Sequence, residues 1–281
     1  MAILPTEPGT ETTPATPAPK PTQGDVEALA GRLHARGIRF CPPLQTSEPS
    51  RRSKQPWPGG EADKGGASWK DFQTRRPTDD EVNRWYSWEH ESRTGIGVYC
   101  GPYPATVAGL DPEHQDVHLE CVELEGRAAD LLPTVQAVAI ERGEHALYEM
   151  LTSGYCERSP SGGTHWFYWW APEGELPDKV RKEHKLAMRA DGETQVTLAE
   201  RLEQGKYVIV APTYGNVHPT GKPYTLLHGG WDSLAVLTTA EREKVAGWFQ
   251  ALDEVTPPAR ADEARTTSVA PAPAAGLPHG V

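Results

Sequence analysis

The chain has no CxxC pair, and its four cysteines, Cys41, Cys100, Cys121 and Cys156, stand 59, 21 and 35 positions apart. That spacing excludes a zinc knuckle or a disulfide framework and predicts reduced, buried thiols. Long apolar runs are also missing. The longest, Trp166 to Ala171, is far too short to span a bilayer, and the N-terminus lacks a basic segment followed by an apolar one. The expectation is a cytoplasmic protein with no membrane partner. Net positive charge is absent too: the formal charge is -11 over 281 residues, which gives no support to nonspecific nucleic-acid binding. His114 and His118 are four apart without the HExxH order, which argues against a zinc hydrolase. Tyr214 to Pro223 approaches a P-loop but fails it. Five residues separate Gly215 from Gly221 where four are needed, and Pro223 follows Lys222 where Ser or Thr should stand.

What is present divides the chain into three. Residues 1–24 and 255–281 are rich in Pro, Thr, Ala and Gly with no strand or helix period, and are expected to be disordered. Residues 25–254 hold the folded domain. Two basic islands interrupt its acidity. Arg51 to Arg76 carries seven basic residues against three acids, and Lys179 to Arg189 carries five against one. Such islands suit either a grip on a polyphosphate or strand, or plain solvated loops.

Asp25 is read as the N-cap of a helix burying Val26, Leu29, Ala30 and Leu33 and stopped by Gly37. A strand over Ile38 to Cys41 runs into Pro42-Pro43. Thr78 to Glu81 is a capping box opening a helix that buries Val82 and Trp85. Ile96 to Cys100 and Val117 onward read as strands, and Thr134 to Leu151 as helical, broken from what precedes by Pro133. Further strands are expected over Trp166 to Trp170, Gln195 to Glu200 and Tyr207 to Ala211. A second capping box, Thr238 to Glu241, opens a helix burying Val245, Trp248, Phe249 and Leu252. Strands and helices alternate without the period of a doubly wound sheet, so the class is α+β, with a mostly antiparallel or mixed sheet.

Chemistry concentrates at three places. On a strand through Val117, Leu119, Cys121, Glu123 and Glu125, side chains two apart share a face. Their Cα atoms lie about 6.5 to 7 Å apart, close enough for two carboxylates to converge on metals spaced about 3.5 to 4 Å. The bland alternative is a strand end whose acids are merely hydrated. In the turn Ser159-Pro160-Ser161-Gly162-Gly163-Thr164-His165, two glycines permit close backbone approach to a phosphate, the serines add hydroxyls, and His165 can donate to an anionic oxygen. Its alternative is an ordinary Pro/Gly turn before a strand. Glu200 shares, by alternation, the face of Val196 and Leu198.

In this chain order the three features resemble the bifunctional primase-polymerase (Prim-Pol) domain of the archaeo-eukaryotic primase superfamily. That family has an acid-x-acid pair, a small-residue turn ending in histidine and a third acid on a later strand. Lys54-Gln55-Pro56 fits its early K-x-P, Thr78 to Trp85 its short helix, Gly95 to Gly101 its next strand, and Tyr207 to Thr213 with His218 to Tyr224 its late segment. Two features depart from many relatives. The pair is Glu-x-Glu, and Arg201 follows Glu200 directly where acid-x-Arg-Gly is frequent.

The resemblance implies an RRM-like sheet backed by helices, with an added α/β lobe. It implies that Glu123, Glu125 and Glu200 hold two Mg²⁺ or Mn²⁺ ions. His165, Ser159, Ser161 and the Gly162-Gly163 amides, aided by Lys54 or Lys222, would hold the phosphates of an incoming dNTP or NTP. The basic islands would then track a single-stranded DNA template, and any exposed members of Trp166 to Trp170 would stack bases, most of these aromatics being expected in the core. The implied activity is priming and strand extension in a phage, plasmid or similar element, with any replicative helicase a separate partner. The altered motifs keep open a non-catalytic single-strand-binding recruitment module on the same fold, and the same carboxylates would also serve phosphoester hydrolysis.

Overall fold

The structure, a computed structural model, describes residues 20–45, 48, 51–57, 59, 68–87, 93–174 and 183–255. Of the tails expected to be disordered, 1–24 and 255–281, residues 1–19 and 256–281 lie outside the described residues, as do Lys64, Lys179, Arg181 and Lys182 of the basic islands, while Gln23 and Gly24 are corrected to helix, capped by Thr22.

The first helix, α1 (Gln23–Arg36), starts two residues before the expected cap. Thr22 is the N-cap and Asp25 is the third helical residue. The Thr22 hydroxyl accepts from the Asp25 amide while the Asp25 carboxylate accepts from the Thr22 amide at 2.7 Å. The reciprocal box satisfies two donors where a lone Asp25 cap would satisfy one. Gly37, at φ +83, closes the helix as expected. The Ile38 amide donates back to the Leu33 carbonyl, so the next strand, β1, is confined to Phe40–Cys41. The Thr78/Glu81 box opens α2 (Asp79–Tyr86), and Arg75 forks onto Glu81 with two bonds of 2.8 Å.

Two sheets follow. The smaller joins β1, β2 (Ile96–Tyr99) and β9 (Tyr207–Val210) in that order, all antiparallel. Gly97 is required here, since a Cβ on it would lie 2.1 Å from the Tyr207 ring that crosses β2. The larger, eight-stranded sheet contains β3 (Gly101–Tyr103), β4 (Val117–Leu124), β5 (Tyr155–Arg158), β6 (Thr164–Trp170), β7 (Glu183–Asp191), β8 (Thr194–Leu202), β10 (Thr225–Gly229) and β11 (Ala235–Leu237). Its main path runs β10-β5-β6-β4-β8-β7. Only the β11–β6 pair is parallel among the described strands, which makes the sheet mixed.

The expected helix over Thr134 to Leu151 is two helices, α3 (Leu132–Glu141) and α4 (His145–Gly154). Gly143, at φ +71, turns the chain between them, and Pro133 sits inside the first turn of α3, where its missing N–H is not needed. With α5 (Thr239–Gln250) these helices cover one face of the eight-stranded sheet, packing on Val122, Leu124, Trp166, Tyr168 and Trp170. The opposite face, carrying Val117, Leu119, Cys121, Phe167 and Trp169, packs against α1, α2 and the smaller sheet. The alternation of β4 and β6 thus builds two cores, each large buried side chain contributing about 1.5–3 kcal/mol. Every residue from Trp166 to Trp170 is buried, so the run is core, as expected for most of it, and no exposed member is left to stack bases. The four cysteines are free and buried. Among the described residues no helix is long and apolar enough to cross a membrane.

Candidate active site

The site is a row of side chains running across the eight-stranded sheet. Residues directly opposite on paired strands share a face. Glu157 on β5 faces His165 on β6, His165 faces Glu123 on β4, Glu123 faces Glu200 on β8, and Glu200 faces Lys185 on β7. The row lies on the face that continues into the core beneath the smaller sheet, beside Cys121.

Glu125 joins from just past the end of β4, where its amide donates to the Leu198 carbonyl at 2.9 Å. One carboxylate oxygen each from Glu123, Glu125 and Glu200 falls within 4.8 Å of the others. Three partly buried carboxylates this close form an all-oxygen donor set, which is what hard divalent cations take. The residues present therefore fit the metal that the motif implies.

Two close approaches hold the strand end in place. A Cβ on Gly163 would lie 2.4 Å from the Leu124 carbonyl oxygen, and one on Gly126 would lie 2.4 Å from that of Ser161. Both glycines let the serine turn rest directly on the Glu-x-Glu backbone.

Glu200 reaches the row by a different route from simple alternation. Leu198 and Ala199 both lie in the helix-side core, and the β7–β8 register shifts here. The expected sharing of a face between Leu198 and Glu200 is corrected. A β-bulge, a device concentrated beside active sites, re-aims the strand by one residue.

The charges shift one another. Burial alone would lower the His165 imidazole, but Glu123, with Nε2 to Oε1 at 3.3 Å, and Glu157, with Nδ1 to Oε1 at 2.7 Å, outweigh it and hold the pKa at about 10. Burial pushes Glu123 upward, yet His165 and the more distant charges of Lys54 and Lys206 bring it below the usual carboxylate range. Burial and the neighbouring Glu123 charge push Glu125 up, and the same two causes lift Glu200 to about 7. The site is short of positive charge where a cation would sit.

Residues 30–241 match the family model described as bifunctional DNA primase/polymerase, N-terminal. The chain belongs to the Prim-Pol family. No curated protein matches it.

The fold of this Prim-Pol domain gathers Glu123, Glu125, Glu200 and His165, all expected site residues, into one cluster. Ser159 is buried and its hydroxyl lies 3.1 Å from that of exposed Ser161. The Gly162 amide donates to the Ser159 carbonyl and closes the turn, leaving open space about the Gly162 Cα. Lys54 is exposed, and its charge is felt at Glu123, Glu125 and His218. The late segment reaches the turn through Thr220, whose hydroxyl donates to the Pro160 carbonyl at 3.4 Å, and exposed Lys222 follows two residues later.

Sequence reasoning missed Glu157 and Lys206. Glu157 lies in a four-residue strand, and nothing short of the β5–β6 register sets it opposite His165. Lys206 sits in the turn before β9, pairs with Glu183 at the start of β7, and contributes charge to Glu123 and Glu200.

The raised Glu200 group has a consequence with a definite sign. Its folded pKa lies above the ordinary 4.5, so between pH 4.5 and about 7 the folded protein holds a proton that the unfolded chain has lost. Stability therefore falls as pH rises through that window. Glu200→Gln removes this loss. In metal-free protein the variant is expected to unfold at a higher temperature than wild type at pH 8 and at nearly the same temperature at pH 5. A calorimetric pH series checks this, and equal offsets at both values would contradict it.

Proposed function

We propose that this Prim-Pol domain is a template-directed nucleotidyltransferase that primes or extends DNA from dNTPs or NTPs on a single-stranded template. The observation that carries the reading is the convergence of Glu123, Glu125 and Glu200 beside His165 on one sheet face. In the reaction the 3'-oxygen of the growing strand forms a bond to the α-phosphorus of the incoming nucleotide, the bond to pyrophosphate breaks, and the hydroxyl proton leaves. Two Mg²⁺ or Mn²⁺ ions held by the three glutamates would lower the pKa of that hydroxyl and stabilise the leaving pyrophosphate.

The chain's own groups do the rest. His165 brings a charged imidazolium to the edge of the acidic cluster, where it can donate from Nε2 to a phosphate oxygen. Ser159, Ser161 and the open Gly162 shape the adjacent turn, and exposed Lys54 supplies a positive charge felt at Glu123 and Glu125. Lys185, in line with Glu200 on the outer strand, extends the positive side of the row toward the template.

Incorporation of labelled dNTPs and NTPs on single-stranded DNA, with and without a primer, in Mg²⁺ and in Mn²⁺, tests the reading. Template-dependent product that requires the metal is expected, and the unprimed lane separates priming from extension. Shortened template in place of extended product would point to phosphoester hydrolysis. Template binding with no product under any condition would leave a recruitment module.

A further inference from the structure

Glu157 is fully buried at the end of a row that grows more exposed across the sheet, from buried His165 through partly buried Glu123 and Glu200 to exposed Lys185. Its Oε1 accepts from His165 Nδ1 at 2.7 Å. Its Oε2 accepts from the Tyr155 hydroxyl and from the Ala211 amide, each also at 2.7 Å. Tyr155 begins β5 in the larger sheet, whereas Ala211 directly follows β9 in the smaller one. The carboxylate is therefore gripped from both sheets.

A buried carboxylate is tolerated only when its oxygens are partnered, and three short bonds leave this one a single orientation. The imidazole inherits that orientation. With Nδ1 committed to Glu157, Nε2 is the nitrogen that points toward Glu123 and the acidic cluster, and the Tyr224 and Phe167 rings, at 6.1 and 6.5 Å, wall the imidazole in. A histidine free to rotate would spend part of its time with neither nitrogen presented to a ligand.

We infer that Glu157 is a positioning residue that fixes His165 so that its Nε2–H meets the triphosphate of the incoming nucleotide. This rests on the polymerase reading above. Glu157 touches no substrate itself; it acts through His165, and through Ala211 it ties that orientation to the seating of the smaller sheet. Outer-sphere carboxylates that orient a histidine are worth about 10- to 100-fold in affinity or activity. The effect should appear in nucleotide binding and KM more than in kcat, because the phosphate contact exists before chemistry begins.

The test is a double-mutant cycle on the full chain, read by calorimetric titration of dATP in Mn²⁺ and, in parallel, by steady-state incorporation. Glu157→Gln is expected to weaken dATP binding about 10- to 100-fold. In a His165→Ala background the same substitution should change binding by less than about twofold, since the group it positions is gone. An undiminished effect in that background, or no effect in wild type, overturns the inference. Tyr155→Phe guards against misfolding of Glu157→Gln. It removes one of the three bonds without altering charge, and a smaller loss that also vanishes with His165→Ala is expected. Wild type that binds dATP but incorporates nothing overturns the polymerase reading alone. Wild type that binds no dATP overturns both.

Discussion

Glu123→Ala/Glu125→Ala is expected to lower nucleotide incorporation by about 10³-fold or more. Metal clamps at such sites stabilise developing charge by several kcal/mol, and each 1.36 kcal/mol is tenfold in rate. The double variant leaves Glu200 as the lone carboxylate of a cluster built within 4.8 Å, and one carboxylate does not assemble a two-ion site. The fold should survive. Glu123 and Glu125 lie at and just past the exit of β4, partly exposed, and the cores on both sides of the strand are built by Val117, Leu119, Cys121, Val122 and Leu124. Burial is the larger cause of the raised Glu200 pKa, so removing the Glu123 and Glu125 charges should lower it only in part. Incorporation, circular dichroism and template binding measured on one preparation check the prediction. Loss of product with template affinity intact is the expected outcome. Retention of more than a tenth of wild-type activity would place the metal elsewhere.

Much of this site was legible because its signals are local. Glu-x-Glu on an alternating strand, a serine-glycine turn ending in histidine and two Thr-x-x-Glu boxes are each read from a few consecutive residues. Glu200 was legible as a strand acid, but its path to the cluster was not. The bulge at Leu198 and Ala199 is a property of pairing, and a period of two carried through it assigns Leu198 to the wrong face. Glu157 stayed hidden for a related reason, since its meaning comes from a partner eight positions on, across a hairpin. Arg201 shows the converse. It follows Glu200 directly where acid-x-Arg-Gly is frequent, and as that neighbour it points to the other side of the sheet. There it pairs with Glu203 at 2.9 Å and Glu243 at 3.3 Å. Its role belongs to the packing behind the site.

That packing carries the largest expected stability effect. Arg242 on α5 forks onto Glu120 of β4, with Nε and Nη2 at 2.7 and 2.8 Å from its two oxygens. The Tyr168 hydroxyl also donates to Glu120 at 2.8 Å, and the guanidinium lies 4.1 Å over the Trp170 ring. Glu120 is 1% exposed and faces away from Glu123 on the same strand, so this fork clamps the closing helix to the side of β4 opposite the acidic cluster. Arg242→Ala leaves a buried carboxylate without its main counter-ion, a change that costs about 3–5 kcal/mol. For a domain of this size that corresponds to a fall in Tm on the order of 10 °C. Converting both partners, Glu120→Leu/Arg242→Leu, should be less damaging than Arg242→Ala alone, because no uncompensated charge stays behind and Arg201 keeps Glu203. Thermal unfolding of the three proteins decides it. If the double variant is the least stable, the fork is worth more than the desolvation it entails, and the clamp is a net source of stability. If the double variant approaches wild type, the pair contributes mainly by fixing the register of α5 on β4, and metal-dependent incorporation in that variant would then report how far the alignment of Glu123 depends on it.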